Sequence, residues 1–127
     1  MAVFEAVYVY IKGPGAMLPE QEGYSNAYVL FSPANFVIPP HGVVLLYLNI
    51  AVDIPPGYVG TLFSLSGMNA RGVFVGAETL YPGSRMELSV LLFNHSDVFC
   101  DVRAKQPVAR LVLNRVIFPP IRQATLF

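Results

Sequence analysis

The sequence predicts an all-β protein built as a jelly-roll-type barrel. Short runs rich in β-branched and aromatic residues alternate with proline and glycine. No long stretch repeats apolar residues at the 3.6-residue helical period, so helices are expected to be few. The pairs Pro39-Pro40, Pro55-Pro56 and Pro119-Pro120 lack ladder donors and fall at the entries or exits of the runs. At 127 residues the chain forms one domain with room for a sizeable core.

The elements follow in order. Residues 4–11 (FEAVYVYI) set Val, Tyr and Ile in succession, types that suit a pleated, half-buried surface. Residues 28–32 (YVLFS) form a second run that ends before a proline. Residues 43–52 (VVLLYLNIAV) are the longest run, entered after Pro39-Pro40 and left before Pro55-Pro56. Residues 60–66 (GTLFSLS), 71–76 (RGVFVG) and 88–94 (LSVLLFN) follow, each bounded by Gly or turn-forming residues. In residues 108–118 (VARLVLNRVIF), Val108, Leu111, Leu113 and Val116 interleave with Arg110, Asn114 and Arg115 at a period near two, as in a strand with one face inward.

Charge excludes some functions. The formal net charge is zero and the eight basic residues are spread out, so the basic stripe that nucleic acid requires is absent. Only 13% of residues are charged and 54% are hydrophobic, against roughly 25% charged in an average domain. Two readings account for this: a well-filled β core, or apolar surface covered by other chains. The single cysteine, Cys100, cannot close an intrachain disulfide and reads as a buried thiol of a reducing compartment. The start of the chain lacks the basic region of a secretory signal, and no apolar run reaches the about 18 residues of a spanning helix. His41 and His95 stand without metal-ligand spacing, and loop or turn hydrogen-bonding is expected of both. In Asn94-His95-Ser96-Asp97, the Asn, Ser and Asp side chains suit local turn bonds.

The stretch 75–97, VGAETLYPGSRMELSVLLFNHSD, resembles the third motif (GVIDxDYRGEL) of the trimeric dUTP pyrophosphatases. Glu78, Thr79, Leu80 and Tyr81 stand where that family has Gly, Val, Ile and the Asp that activates water. Arg85, Glu87 and residues 88–97 match it. A general base must be ionised near neutral pH; an aspartate is, and a tyrosine, which ionises near pH 10, is not. Three further motifs resemble the family with similar losses. In GTLFSLSGM (60–68), Ser66 and Gly67 remain while Leu65 replaces the phosphate-binding Arg. In KQPVARL (105–111), Gln106 replaces an Asp and Arg110 a phosphate-contacting Gln. In NAYVLFS (26–32), Val29 replaces another Asp. The Gly-rich arm that closes over the nucleotide is missing. The resemblance spans about residues 17–118 and implies the family's barrel and its homotrimer. The substitutions imply no catalytic residue, no metal, no cofactor and no enzyme.

The tail carries a different signal. After a barrel of residues 1–118, residues 119–127 end in Ala124, Thr125, Leu126 and Phe127, the S/T-x-Φ pattern read by PDZ domains. Such domains add the ligand as a strand, capture its carboxylate on backbone N–H groups, and pocket the last side chain. Across its length the chain also resembles the adenovirus early-region-four first-open-reading-frame family, notably in IPPGY, LLFNHSD and RVIFPPIRQATLF. That resemblance implies a viral adaptor that binds host PDZ scaffolds of the cell-polarity type and promotes phosphoinositide 3-kinase signalling. The host cytoplasm is the expected location, with recruitment to the plasma membrane through partners. For the kinase contact, the expected surface is Phe36 and His41 with Leu92, Phe93 and His95. The alternatives are a residual nucleotide pyrophosphatase and a purely structural oligomer.

Overall fold

The computed structural model describes residues 6–83 and 85–126. Among the described residues eleven strands and one short helix follow one another: β1 (Tyr8–Ile11), β2 (Glu20–Gln21), β3 (Ala27–Phe31), β4 (Phe36–Ile38), β5 (Val43–Asp53), β6 (Tyr58–Phe63), α1 (Ser66–Ala70), β7 (Val73–Val75), β8 (Thr79–Leu80), β9 (Arg85–Asn94), β10 (Cys100–Val102) and β11 (Pro107–Arg115). One sheet has the order β1-β5-β9-β7, a second the order β2-β3-β11-β6-β8, and β10 pairs with β4 in a two-stranded ribbon. Every pairing is antiparallel, in keeping with the all-β expectation.

The inward faces fill one core. Leu46, Leu48, Ile50, Val52, Leu88, Val90 and Leu92 come from the first sheet, Leu30, Leu62, Leu111 and Leu113 from the second, and Ile38, Cys100 and Val102 from the ribbon. Cys100 is a buried thiol, as expected.

Two irregularities explain where alternation fails. Between Tyr47 and Ala51 the β5–β9 register shifts, and Asn49 takes a positive φ of 60°. Asn tolerates that region better than most residues, and its Nδ2 donates across the fold to the Pro14 carbonyl at 3.0 Å. After the shift Ile50, Ala51 and Val52 are all buried, the small Ala51 lying between Tyr10 of β1 and Glu87 of β9. A second shift between Pro107 and Ala109 leaves Val108 and Ala109 both buried.

Several boundaries differ from expectation. The run 60–66 ends as a strand at Phe63, and Ser66 opens α1. The Ser64 hydroxyl, instead of joining a ladder, accepts the Val75 N–H at 2.8 Å. The run 108–118 leaves the ladder after Arg115; Val116 makes one further backbone bond, to Gly57, and Ile117 and Phe118 are exposed. The short strands β2, β4 and β8 were not expected as strands, because two or three residues show no period of their own.

Candidate functional site

The positions that resemble the pyrophosphatase motifs fall into two separated groups. In the second sheet Arg110 lies opposite Val29 on one side and Phe63 on the other, so the Val29, Arg110 and Leu65 positions gather at one end. Tyr81 lies at the other end. Gly60 pairs with Leu80 and Thr61 with Thr79, and continuing this register sets Tyr81 beside Val59. From Val59 to Leu65 the chain covers roughly 20 Å at about 3.3 Å per residue. One copy therefore does not bring Tyr81 together with Leu65 and Ser66.

The side chains at both ends are occupied or apolar. Arg110 Nε donates to Glu22 Oε1 at 2.7 Å, each side chain about one-third exposed, so its charge is answered within the chain. Arg85 sits over the Tyr10 ring, 3.9 Å from its centroid. Leu65 is half-buried against the core. The Gln106 side-chain Oε1 accepts the Arg103 N–H at 3.1 Å and holds a turn in which Lys105 has a positive φ of 71°. Tyr81 is half exposed, and Gly83, at φ 91°, allows the reversal that leads from β8 into β9. Among the described residues no cluster of three or more His, Cys, Asp or Glu is placed to hold a metal ion. An apolar cleft of about 330 Å³ opens elsewhere, lined by Val7, Val9, Leu18 and Leu111, with the tyrosines Tyr8 and Tyr28. It offers neither an acid nor a cation for nucleotide chemistry.

The second expected surface needs one correction. Leu92 is fully buried and belongs to the core, because the two-residue period of β9 turns it inward. Its neighbour Leu91 faces outward, 41% exposed, opposite Leu45. Val43, Tyr47 and Phe74 are exposed on the same sheet; Val43 and Phe74 both lie opposite the half-buried Phe93. His95 stacks on Phe93, ring centroids 6.2 Å apart, and tilts against Phe74 at 5.5 Å. Phe36 is half-buried against the core. His41 is exposed and bonds Asp97 at 2.7 Å, so this pair joins two loops; Asp97 was expected to bond local backbone.

Asn94 organises that corner. Buried, it donates through Nδ2 to the carbonyls of Ile38 (3.1 Å) and Val98 (2.8 Å) and accepts through Oδ1 from the Ser96 N–H (3.0 Å) and hydroxyl (2.7 Å). Asn94→Ala removes four hydrogen bonds centred on one buried side chain, and is expected to cost about 3 kcal/mol in urea-unfolding experiments.

The tail lies outside every sheet. Residues 117–126 carry no regular structure and are all exposed, Ile121 at 96% and Leu126 at 94%. Ala124 and Thr125 share this exposure, and Phe127 lies outside the described residues. Sequence reasoning missed Glu22 as the partner of Arg110 and Tyr10 as the seat of Arg85. Neither carries a local signal, since partners so far apart in the chain meet only through strand pairing.

A dUTPase family model matches residues 14–125. The E4-ORF1 protein of Human adenovirus D serotype 9 is 48% identical, covering 96% of this chain and 98% of its own length. The early 4 ORF1 protein of Human adenovirus C serotype 2 is 50% identical, covering 98% and 97%. A deoxyuridine 5'-triphosphate nucleotidohydrolase of Fowl adenovirus A serotype 1 is 31% identical, covering 94% and 68%. Among solved structures, a mutant dUTPase from phage phi11 of S. aureus matches with a TM-score of 0.86 at 20% identity, over 96% of this chain and 98% of its own, which establishes the fold. The chain therefore belongs to the dUTPase family and, within it, to the group of the adenovirus E4-ORF1 proteins.

Proposed function

We propose that this protein is a non-enzymatic viral adaptor whose tail, with Phe127 as the carboxyl-terminal residue, docks into PDZ domains of host cell-polarity scaffolds. The observation that carries this reading is the complete exposure of residues 117–126, which belong to no sheet and are free to add as a strand to a partner's sheet edge. Phe127 fills the apolar pocket, and the Thr125 hydroxyl bonds a polar side chain on the partner. A single tail at roughly micromolar affinity corresponds to about −8 kcal/mol. Assembly as a homotrimer presents three tails and raises avidity about 100-fold where the partner sites lie within reach.

The barrel supplies a second contact, through which the adaptor promotes phosphoinositide 3-kinase signalling. The exposed apolar row of Val43, Leu45, Tyr47, Leu91 and Phe74 supports placing it on the outer face of the β1-β5-β9-β7 sheet, with Phe93 and His95 beside it. His41 stands two residues before Val43, at the edge of this face, while Phe36 packs against the core. The adaptor works in the host cytoplasm and reaches the plasma membrane through its partners. The test is binding of the full-length protein, and of one lacking residues 124–127, to a panel of isolated PDZ domains. Retention of binding by the truncated protein rejects the tail reading.

The enzyme reading has one support, the kinship with deoxyuridine 5'-triphosphate nucleotidohydrolases. Against it stand the apolar or internally paired side chains at the motif positions. Tyr81→Asp is accordingly expected to yield no pyrophosphate release from dUTP with magnesium. One carboxylate does not restore triphosphate binding where Leu65 and Val29 remain and Arg110 is held by Glu22. Release by either form, measured with a coupled phosphate assay, overturns the adaptor-only assignment.

A further inference from the structure

We infer that Thr125 is a phosphorylation site for a protein kinase that selects arginine three residues before its target, and that its phosphorylation switches off PDZ docking. The switch rests on the docking proposed above; the modification site does not.

Of the ten serines and threonines in the chain, only Thr125 has a Lys or Arg three residues before it, Arg122. A kinase receives its substrate as an extended segment free of other backbone partners. Residues 117–126 belong to no sheet or helix and are free to extend, and Arg122 and Thr125 are both exposed in this segment. Among the described residues, Ser32 is buried, Ser64 and Ser96 are engaged in turns, Thr61, Thr79 and Ser89 lie within strands, and Ser25 and Ser66, though exposed, lack the arginine. Arg122 is also the one charged side chain after Arg115. No acid in the tail opposes an acid-lined kinase pocket.

The two binding events read different parts of this segment. In an extended chain side chains alternate, so Thr125 and Phe127 point to one side and Arg122 to the other, about 10 Å along the chain. A PDZ domain reads the Thr125–Phe127 side. The kinase reads Arg122 and Thr125 together. In the reaction the Thr125 hydroxyl oxygen bonds the γ-phosphorus of ATP, the bond from that phosphorus to the β–γ bridging oxygen breaks, and ADP leaves. The hydroxyl proton passes to the kinase's catalytic carboxylate. The product carries about −1.5 to −2 charges where a neutral hydroxyl had been received, which a PDZ polar pocket does not accommodate.

The test uses the purified full-length protein with Mg-ATP and the catalytic subunit of the cAMP-dependent protein kinase, an Arg-directed enzyme. Mass spectrometry of the C-terminal peptide is expected to find one phosphate, on Thr125, and Arg122→Ala to lower kcat/KM at least tenfold. An unmodified Thr125, or an Arg122→Ala protein modified at the wild-type rate, overturns the site. In the second arm, isolated PDZ domains are titrated with unmodified, phosphorylated and Arg122→Ala protein. Unmodified and Arg122→Ala proteins are expected to bind alike and the phosphorylated protein at least tenfold more weakly, with binding restored by a phosphatase. Equal binding of the phosphorylated protein overturns the switch. If no PDZ domain binds the unmodified protein, the docking reading and the switch both fall, and the mass spectrum alone still decides the site.

Discussion

Deleting Ala124, Thr125, Leu126 and Phe127 is expected to abolish PDZ binding while leaving the thermal unfolding midpoint unchanged. Strand addition draws its affinity from the tail's backbone, its carboxylate and two side chains on one side of the strand, and the deletion removes all of them. A tail of micromolar affinity loses about 8 kcal/mol, which places the residual below detection. The barrel is indifferent to the loss because residues 124–126 are exposed and belong to no sheet. Thr125→Ala removes a single hydrogen bond and is expected to weaken binding about tenfold, in the range of one bond in a desolvated site. Titration calorimetry of the three proteins, beside their melting curves, measures both halves. A fall in melting temperature on deletion contradicts the exposed tail, and retained affinity contradicts its role.

The second large effect concerns two neighbours in one strand. Leu92→Ala is expected to cost about 3–4 kcal/mol and Leu91→Ala less than about 0.5 kcal/mol. Leu92 is sealed between the two sheets, so truncation leaves a cavity that the surrounding close-packed side chains fill only in part. Leu91 faces outward. For a domain of this size the Leu92 loss lowers the melting temperature by roughly 10–15 °C. If Leu91 contributes to the partner surface proposed above, Leu91→Asp reduces kinase activation in cells without a change in melting temperature or PDZ binding. Equal destabilisation by Leu91→Ala and Leu92→Ala in urea unfolding contradicts the inward–outward assignment of β9.

That assignment also marks where sequence reasoning stopped. In LSVLLFN the apolar residues Val90 to Phe93 run without interruption, so the letters alone do not say which of Leu91 and Leu92 faces inward. Strand pairing decides it: Leu92 lies opposite Val44 and points to the core, while Leu91 lies opposite Leu45 and points away. The long strands β5, β9 and β11 were legible because each has enough apolar residues between Pro or Gly breaks to show its type. The strands β2, β4 and β8 were not, since neighbouring strands supply the hydrogen bonds that define them. The motif losses at Leu65, Tyr81, Gln106 and Val29 could be read residue by residue. Their division between two ends of a sheet could not, because it depends on the register of β6 with β8 and β11.

By itself the sequence determined the all-β class, the family likeness, the buried Cys100 and the composition of the tail. These are properties of residue type and local order, and local physics suffices for them. Only the tertiary structure decided that Arg110 is neutralised by Glu22, that His41 bonds Asp97, that Leu91 rather than Leu92 faces outward, and that residues 117–126 lie uncovered. Each of these is a relation between segments distant in the chain, or the lack of one, fixed when the sheets close around a shared core and set by register rather than by any residue alone.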